Sequence, residues 1–251
     1  GPYIDDSVIA ASYCPLDSMS DPIRAVSAFA DKARQLGAVI ITHEPVIDIQ
    51  SHADGTWRIR TPKRRVSAGA VVLATGAWTA QVGRSLGFKI GVENVIQTVS
   101  ISESGPFTIP HIVTHVQRDL TIKQSRKSGQ ILIGGGWRGR GDLGSDTKLV
   151  DPDTLSANLL RASQAIRDLH GRRILRAWVG FEGRSPDRKP LLGPLPGHDS
   201  AYVVACAEGG YTLAPFLGEE LASWLLHGEP APDSMVAEFN VRRFVQPGVH
   251  A

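Results

Sequence analysis

The chain has 251 residues, 42% of them hydrophobic and 21% charged, so it can bury a sizeable core and does not have the composition of a disordered polymer. Lysine and arginine number 27 against 25 aspartates and glutamates, and the resulting formal charge of +2 calls for neither nucleic acid nor a membrane surface. Cys14 and Cys206 stand far apart and in no metal spacing, which argues against a disulfide scaffold or a zinc site and fits a reducing compartment, with the cytoplasm as the default. No apolar run reaches transmembrane length and no signal peptide is visible. The start at Gly1-Pro2, without Met, reads as a protease scar or as the beginning of a fragment.

The first element in chain order is a helix, "SDPIRAVSAFADKARQLGA". Ser20 or Asp21 caps it, Pro22 takes the first turn, and Gly37 stops it. Ile23, Val26, Phe29, Ala30 and Ala33 form its apolar face. "AVIITHEPVIDIQ" (38–50) follows as one strand or two, broken at Pro45, and Asp54-Gly55 turns the chain back into "TWRIRTP" (56–62). "TPKRRV" (61–66) is a solvated basic turn, and "RRVSAGAVVLATG" (64–76) keeps strand character. The middle is strand-rich, with candidates at 95–102, 120–125 and 130–135, the last two joined at Ser128-Gly129. A second helix spans 151–171, capped by Asp151 and stopped by Gly171, with Leu155, Leu159, Ala162, Ile166 and Leu169 at helical spacing. "AYVVACA" (201–207) reads as a buried strand and "TLAPFLGEELASWLLHG" (212–228) as a third helix. Strand-then-helix flanks around an antiparallel middle predict an α/β nucleotide-binding part interrupted by an α+β part.

Three glycine-bearing stretches compete as nucleotide sites. "ILIGGGWRGRG" contains G-x-G-x-x-G at Gly134, Gly136 and Gly139. A dinucleotide turn needs a helix starting at those glycines and an acidic residue closing the next strand. "RGDLGSDTKLVDPD" follows instead, so the stretch reads as a strand leaving a sheet through a glycine turn. "VVLATGAWTA" (71–80) is either a buried parallel strand with an open carboxyl edge or a plain core strand with a glycine turn. "VVACAEGGYTLAPFLGEEL" (203–221) runs through Glu208-Gly209-Gly210 directly into a helix. That helix start can hold an anion or a flavin edge, or it is an ordinary strand–helix turn.

"AVVLATGAW", "RAWVGFEGRSPDRKPLLGPLP" (176–196) and "YVVACAEGGYTLAPFLGEELASWLL", in this order, resemble the FAD-dependent D-amino acid oxidase superfamily. Within it they are most similar to the glycine oxidase, sarcosine oxidase beta-subunit and proline/hydroxyproline dehydrogenase branch. "LTIKQSRKSGQILIGGG" resembles that family's sheet hairpin, and the similarity covers nearly the whole chain.

The resemblance implies an FAD-binding Rossmann-like part in two segments, 1–80 and 172–251, around a substrate domain at 81–171 whose antiparallel sheet roofs the flavin. It implies that Val46 meets the adenine, that Ala74, Thr75, Gly76 and Trp78 line the nucleotide half, and that Gly209, Gly210, Tyr211, Thr212 and Leu213 border the flavin's pyrimidine edge. The family's N-terminal strand–G-x-G-x-x-G–helix is not in the sequence, so the chain resembles the C-terminal two-thirds of such an enzyme, with an apolar patch exposed near the missing piece.

At the position where glycine oxidases carry a carboxylate-binding Arg stands Glu182, with Arg184 two residues on. The roofing strand has Ile122 and Gln124 where some members carry a Tyr. Gln124, Glu182 and Arg184 are therefore the substrate-binding candidates, with Gln124 read alternatively as bonded to a neighbouring strand and Glu182 as satisfied by Arg184 or Arg188, and no catalytic residue or metal ligand stands out. The implied reaction passes a hydride equivalent from an amine carbon to flavin N5, giving an imine. An oxidase of 2-hydroxy acids or polyols on the same fold, or a truncated domain without cofactor, are the rival readings. The implied partners are a small amine or amino acid and, as in related enzymes, other subunits or a second copy.

Overall fold

A computed structural model describes residues 3–117, 120–205 and 209–247. The chain divides into two compact units, Gly1–Ser20 with Val95–Phe181 and Asp21–Asn94 with Glu182–Ala251. These borders differ from those the resemblance implies, 80/81 and 171/172, under which the first 20 residues belong with the nucleotide part. In the structure Tyr3 and Ile4 pack on the core of the 95–181 unit, and Arg167 N donates to Tyr3 O at 3.1 Å. Among the described residues no helix is long and apolar enough to cross a membrane.

The unit built on 95–181 holds a five-stranded sheet. Its order is Ile174–Arg184, Glu93–Ser102, Ile131–Gly134, Thr121–Gln124, Val113–Thr114. The hairpin expected at Ser128-Gly129 pairs Ile122 with Ile133 and Gln124 with Ile131, and Gly129 supplies the left-handed turn residue at φ 69°. Alternation puts Ile122, Ile131 and Ile133 on one face, where they pack with Leu120, Ile109 and the helix residues Ala162 and Ile166. That helix runs Pro152–Ala165, capped by the Asp151 carboxylate, which accepts the Asp153 amide at 3.0 Å. It ends earlier than its periodicity predicts, because Ile166 turns to an extended backbone and leaves a single 3₁₀ turn, Arg167–Leu169.

"ILIGGGWRGRG" is a β-bulge. Between the pairs Ser100↔Ile133 and Gln97↔Arg138 one strand advances three residues and the other five. Gly135 and Gly136 absorb the excess at φ 122° and 86°. No helix follows. The chain enters a small hairpin, Arg140–Asp142 with Thr147–Leu149, where the sequence reading placed a loop. The Asp142 carboxylate makes its turn by accepting the Ser145 amide at 2.9 Å.

The other unit has a three-stranded sheet in which Ala201–Val203 runs parallel to Val71–Leu73 and Leu191–Pro194 pairs antiparallel on the far side. An antiparallel meander, Asp48–Ser51, Trp57–Arg60 and Arg65–Ala68, packs Ile49 and Trp57 into the same core as Leu73, Leu191 and Val203. The helix Gly210–His227 buries Leu217, Leu221 and Trp224 against Leu192 and Val236. Phe88–Ile90 and Val245–Pro247 form a further pair that local patterning did not reveal.

One expectation holds here and another fails. The helix Pro22–Gln35 forms, capped by Asp21, yet buries no residue. The segment 38–42, read as a strand, has no regular structure, and Val39 is 84% exposed. A strand exists only where a neighbour completes its ladder, and none of the described residues does so here.

Candidate functional site

The two parallel strands direct their carboxyl ends to the same edge of their sheet, which is where α/β sheets leave backbone open to ligands. After Leu73 the chain passes through Ala74 and Thr75 into the 3₁₀ turn Gly76–Trp78 and the short helix Thr79–Ser85. Ala77 and Thr79 are buried, whereas Ala74, Gly76 and Trp78 are exposed. Gly76 has φ 52° and open space where a Cβ would stand.

Gly183 lies against this turn. A Cβ built there would come within 3.1 Å of Gly76 O and 3.3 Å of Ala77 Cα, a tight approach that glycine eases. The residues on either side of Gly183 share one face of the strand, and they are charged. Arg184 Nη2 meets Glu182 Oε2 at 3.3 Å, with the Arg side chain 12% exposed and the Glu side chain 31%. Arg184 Nε is buried and has no hydrogen-bond partner among the described residues. Two motifs more than a hundred residues apart thus meet in one unit.

The following residues, "SPDRKP", make a rigid turn. Asp187 takes the Ser185 hydroxyl and the Lys189 amide on Oδ1, both at 3.0 Å, and Arg243 Nε on Oδ2 at 3.1 Å. Burial pushes its carboxyl up, but those three partners outweigh burial and hold it below the usual value. Arg188 occupies the left-handed region at φ 60° to close the turn.

The helix at Gly210 begins from Gly209, also left-handed at φ 86°, with no side-chain cap and no acidic residue in the first turn. No carboxylate of its own first turn therefore offsets its positive dipole end. Gly209, Tyr211 and Thr212 are exposed, and Gly210 and Leu213 half-buried. Glu208 and Cys206, named in the sequence reading, lie outside the described residues.

Val46 is exposed, on the irregular segment before the meander. Glu44 fixes that segment by accepting the Thr61 hydroxyl at 2.5 Å and pairing with Arg64 at 2.8 Å. The Thr61 hydrogen bond above all holds its carboxyl below the usual range. Nothing local in the sequence marked Glu44, because its partners sit on the next hairpin.

Gln124 is a correction. Its side chain is buried, and all its hydrogen-bonding capacity goes to backbone. Oε1 accepts the Thr108 and Ile109 amides at 2.8 and 2.9 Å, while Nε2 donates to Pro106 O and Gly129 O at 2.7 and 2.8 Å. It fastens a loop to the sheet hairpin and has no group left for a substrate.

The residues fit a flavin nucleotide in part. The uncapped helix end at Gly209 suits an edge that gains negative charge, and the small residues 74–76 leave backbone accessible. No strand–G-x-G-x-x-G–helix unit to cradle a pyrophosphate occurs among the described residues.

Residues 2–224 match the family described as "FAD dependent oxidoreductase". L-proline dehydrogenase from P. horikoshii superposes with a TM-score of 0.86 at 26% identity, over 96% of this chain and 65% of that one. Mitochondrial dimethylglycine dehydrogenase from Mus musculus is 28% identical over 91% of this chain and 28% of its own length. Glycine oxidase from Bacillus subtilis is 25% identical over 92% of this chain and 61% of its own length. The chain spans less than two thirds of each of these relatives.

Proposed function

The chain belongs to the FAD dependent oxidoreductase family, and we propose that the protein carrying it oxidises the C–N bond of a small amine or amino acid, of the sarcosine, glycine, proline or opine type, to an imine. The observation that carries this reading is the Glu182–Arg184 pair, on the strand whose Gly183 packs against the turn that follows the parallel strand. Val46, Ala74, Thr75, Gly76 and Trp78 would hold the nucleotide half of FAD, and Gly209 to Leu213 its pyrimidine edge. Bound there, FAD supplies the acceptor for the electrons that leave the substrate carbon.

The chain's own groups bind and orient the substrate. Near a protein surface, unit charges about 4 Å apart interact by roughly 4 kcal/mol before desolvation. Glu182 would repel a substrate carboxylate by that order, and Arg184 attracts one by the same order. A zwitterion satisfies both, its carboxylate on Arg184 and its ammonium on Glu182, and the two side chains pair with each other when it leaves. Orientation of the reacting carbon is what such a site contributes most. The exposed stripe Ile23, Val26 and Phe29 supports an assembly surface for other subunits or a second copy. The free, exposed Cys14 thiol supports a reducing compartment such as the cytoplasm.

The test is anaerobic mixing of the FAD-loaded protein with sarcosine, dimethylglycine, glycine, proline and a series of 2-hydroxy acids, following the oxidised-flavin band at about 450 nm. Bleaching by one or more of the amines is the expected result. Bleaching by hydroxy acids alone, or by nothing in the panel, sinks the reading. Arg184→Ala should raise KM at least about tenfold for carboxylated amines, the loss of one charge-assisted contact.

A further inference from the structure

The glycine bulge leaves a chemical imbalance in the interior of the 95–181 unit. Thr98 and Ser100 project from the same face of the strand Glu93–Ser102, and both are buried. Neither Thr98 Oγ1 nor Ser100 Oγ has a hydrogen-bond partner among the described residues. Ser102, next on that face, is fully engaged: it accepts the Ile131 amide at 3.0 Å and donates to Glu103 O at 2.8 Å. The ladder between the two strands consists of Ser100↔Ile133 and Ile101↔Leu132, and beyond it the Ser102 hydroxyl itself takes the Ile131 amide. Ser100 pairs with Ile133 at the last regular step, and the Thr98 amide already bonds Trp137 O, beyond the inserted glycines.

A third group closes the set from the helix. Asn158 is completely buried, and its Nδ2 donates to Gly134 O, the first residue of the glycine run, at 3.0 Å. Its Oδ1 has no partner among the described residues. Two hydroxyls on the strand paired with the glycine run and an amide oxygen on the helix residue bonded to that run are therefore each buried and without a partner among the described residues. Buried polar groups are almost always satisfied, by protein or by ordered water.

We propose that Thr98, Ser100 and Asn158 form a binding site for an internal water molecule that is part of the bulge. The donor and acceptor count closes on water. An amide oxygen only accepts, while each hydroxyl can donate or accept. One water donating to Asn158 Oδ1 and to one hydroxyl, and accepting from the other, satisfies all three and makes the usual three bonds of a buried water. Its role is to tie the hydroxyls of the strand to Asn158, which itself holds Gly134 O at the start of the glycine run.

Thr98→Val tests this with opposite signs. Valine has threonine's shape without its hydroxyl. If the hydroxyl binds water, the substitution strands that water and lowers Tm by roughly 2–4 °C. If the hydroxyl bonds nothing, removing a buried unpaired polar group leaves Tm unchanged or raises it, and the proposal falls. A crystal structure of the unaltered chain decides independently should the variant not fold. Density for a water within hydrogen-bonding distance of at least two of the three atoms supports the site. Its absence, or direct bonds among the three side chains, overturns it.

Discussion

The helices Pro22–Gln35 and Pro152–Ala165 are almost the same object locally. Each has 14 residues, an Asp cap that accepts the next amides, and Pro at its first position. One buries Asn158 and Ala162 under a sheet, whereas the other buries nothing and leaves Ile23 78%, Val26 60% and Phe29 62% exposed. Capping and periodicity decide that a helix forms. Whether its apolar stripe is covered depends on another element being present. A helix of this length is marginal on its own in water, so the two should differ in stability although their local signals agree.

Core truncation under the covered helix gives the largest contrast. Ile133→Ala, at a fully packed sheet position, should cost about 2–5 kcal/mol in urea unfolding. A loss below about 1 kcal/mol would mean that this unit is as loosely assembled as the exposed helix. Next comes Gly183→Ala, which forces a methyl onto backbone atoms of the Gly76 turn. It should cost roughly 1–3 kcal/mol and weaken substrate binding together with stability, read by unfolding and KM side by side.

A smaller effect is the pH dependence of the Asp151 cap. The Arg140 hydrogen bond above all holds the Asp151 carboxyl below its ordinary value, so its contribution is complete above the unfolded Asp value, about 3.9, and is lost as pH falls through the lower folded value. Acid titration of helicity should show a loss in that window which is reduced in Asp151→Asn, since Asn still caps but cannot pair with Arg140. An unchanged titration would remove Arg140 from the account. Phe29→Ala should do least, within about 0.5 kcal/mol of the unaltered chain. A cost like that of Ile133→Ala would show that the stripe is covered in solution.

Much of the α/β plus α+β organisation was legible. The caps at Asp21 and Asp151, the turns at Asp54-Gly55 and Ser128-Gly129, and the strands that alternate β-branched residues all use contacts a few residues apart. The family could be read too, because its motifs are contiguous. Distant partners could not. Phe88–Ile90 is a strand because Val245–Pro247 lies beside it, and "AVIIT" has β-branched residues but no ladder. Gln124 looked available for a substrate only because its four backbone partners lie on loops that a linear reading does not bring together.

The sequence by itself determined which segments can become helices and hairpins, and it argued against a nucleotide turn at "ILIGGGWRGRG", because no helix signal follows its glycines. Only the tertiary structure decided that this run is a bulge with buried polar groups near it that have no partner among the described residues, that Gly183 packs against the Gly76 turn while Glu182 and Arg184 pair beside it, and that one of two matching helices buries none of its residues. The reason is that local signals act through backbone hydrogen bonds within a few residues, while burial, register and charge pairing depend on chain segments that meet only after folding.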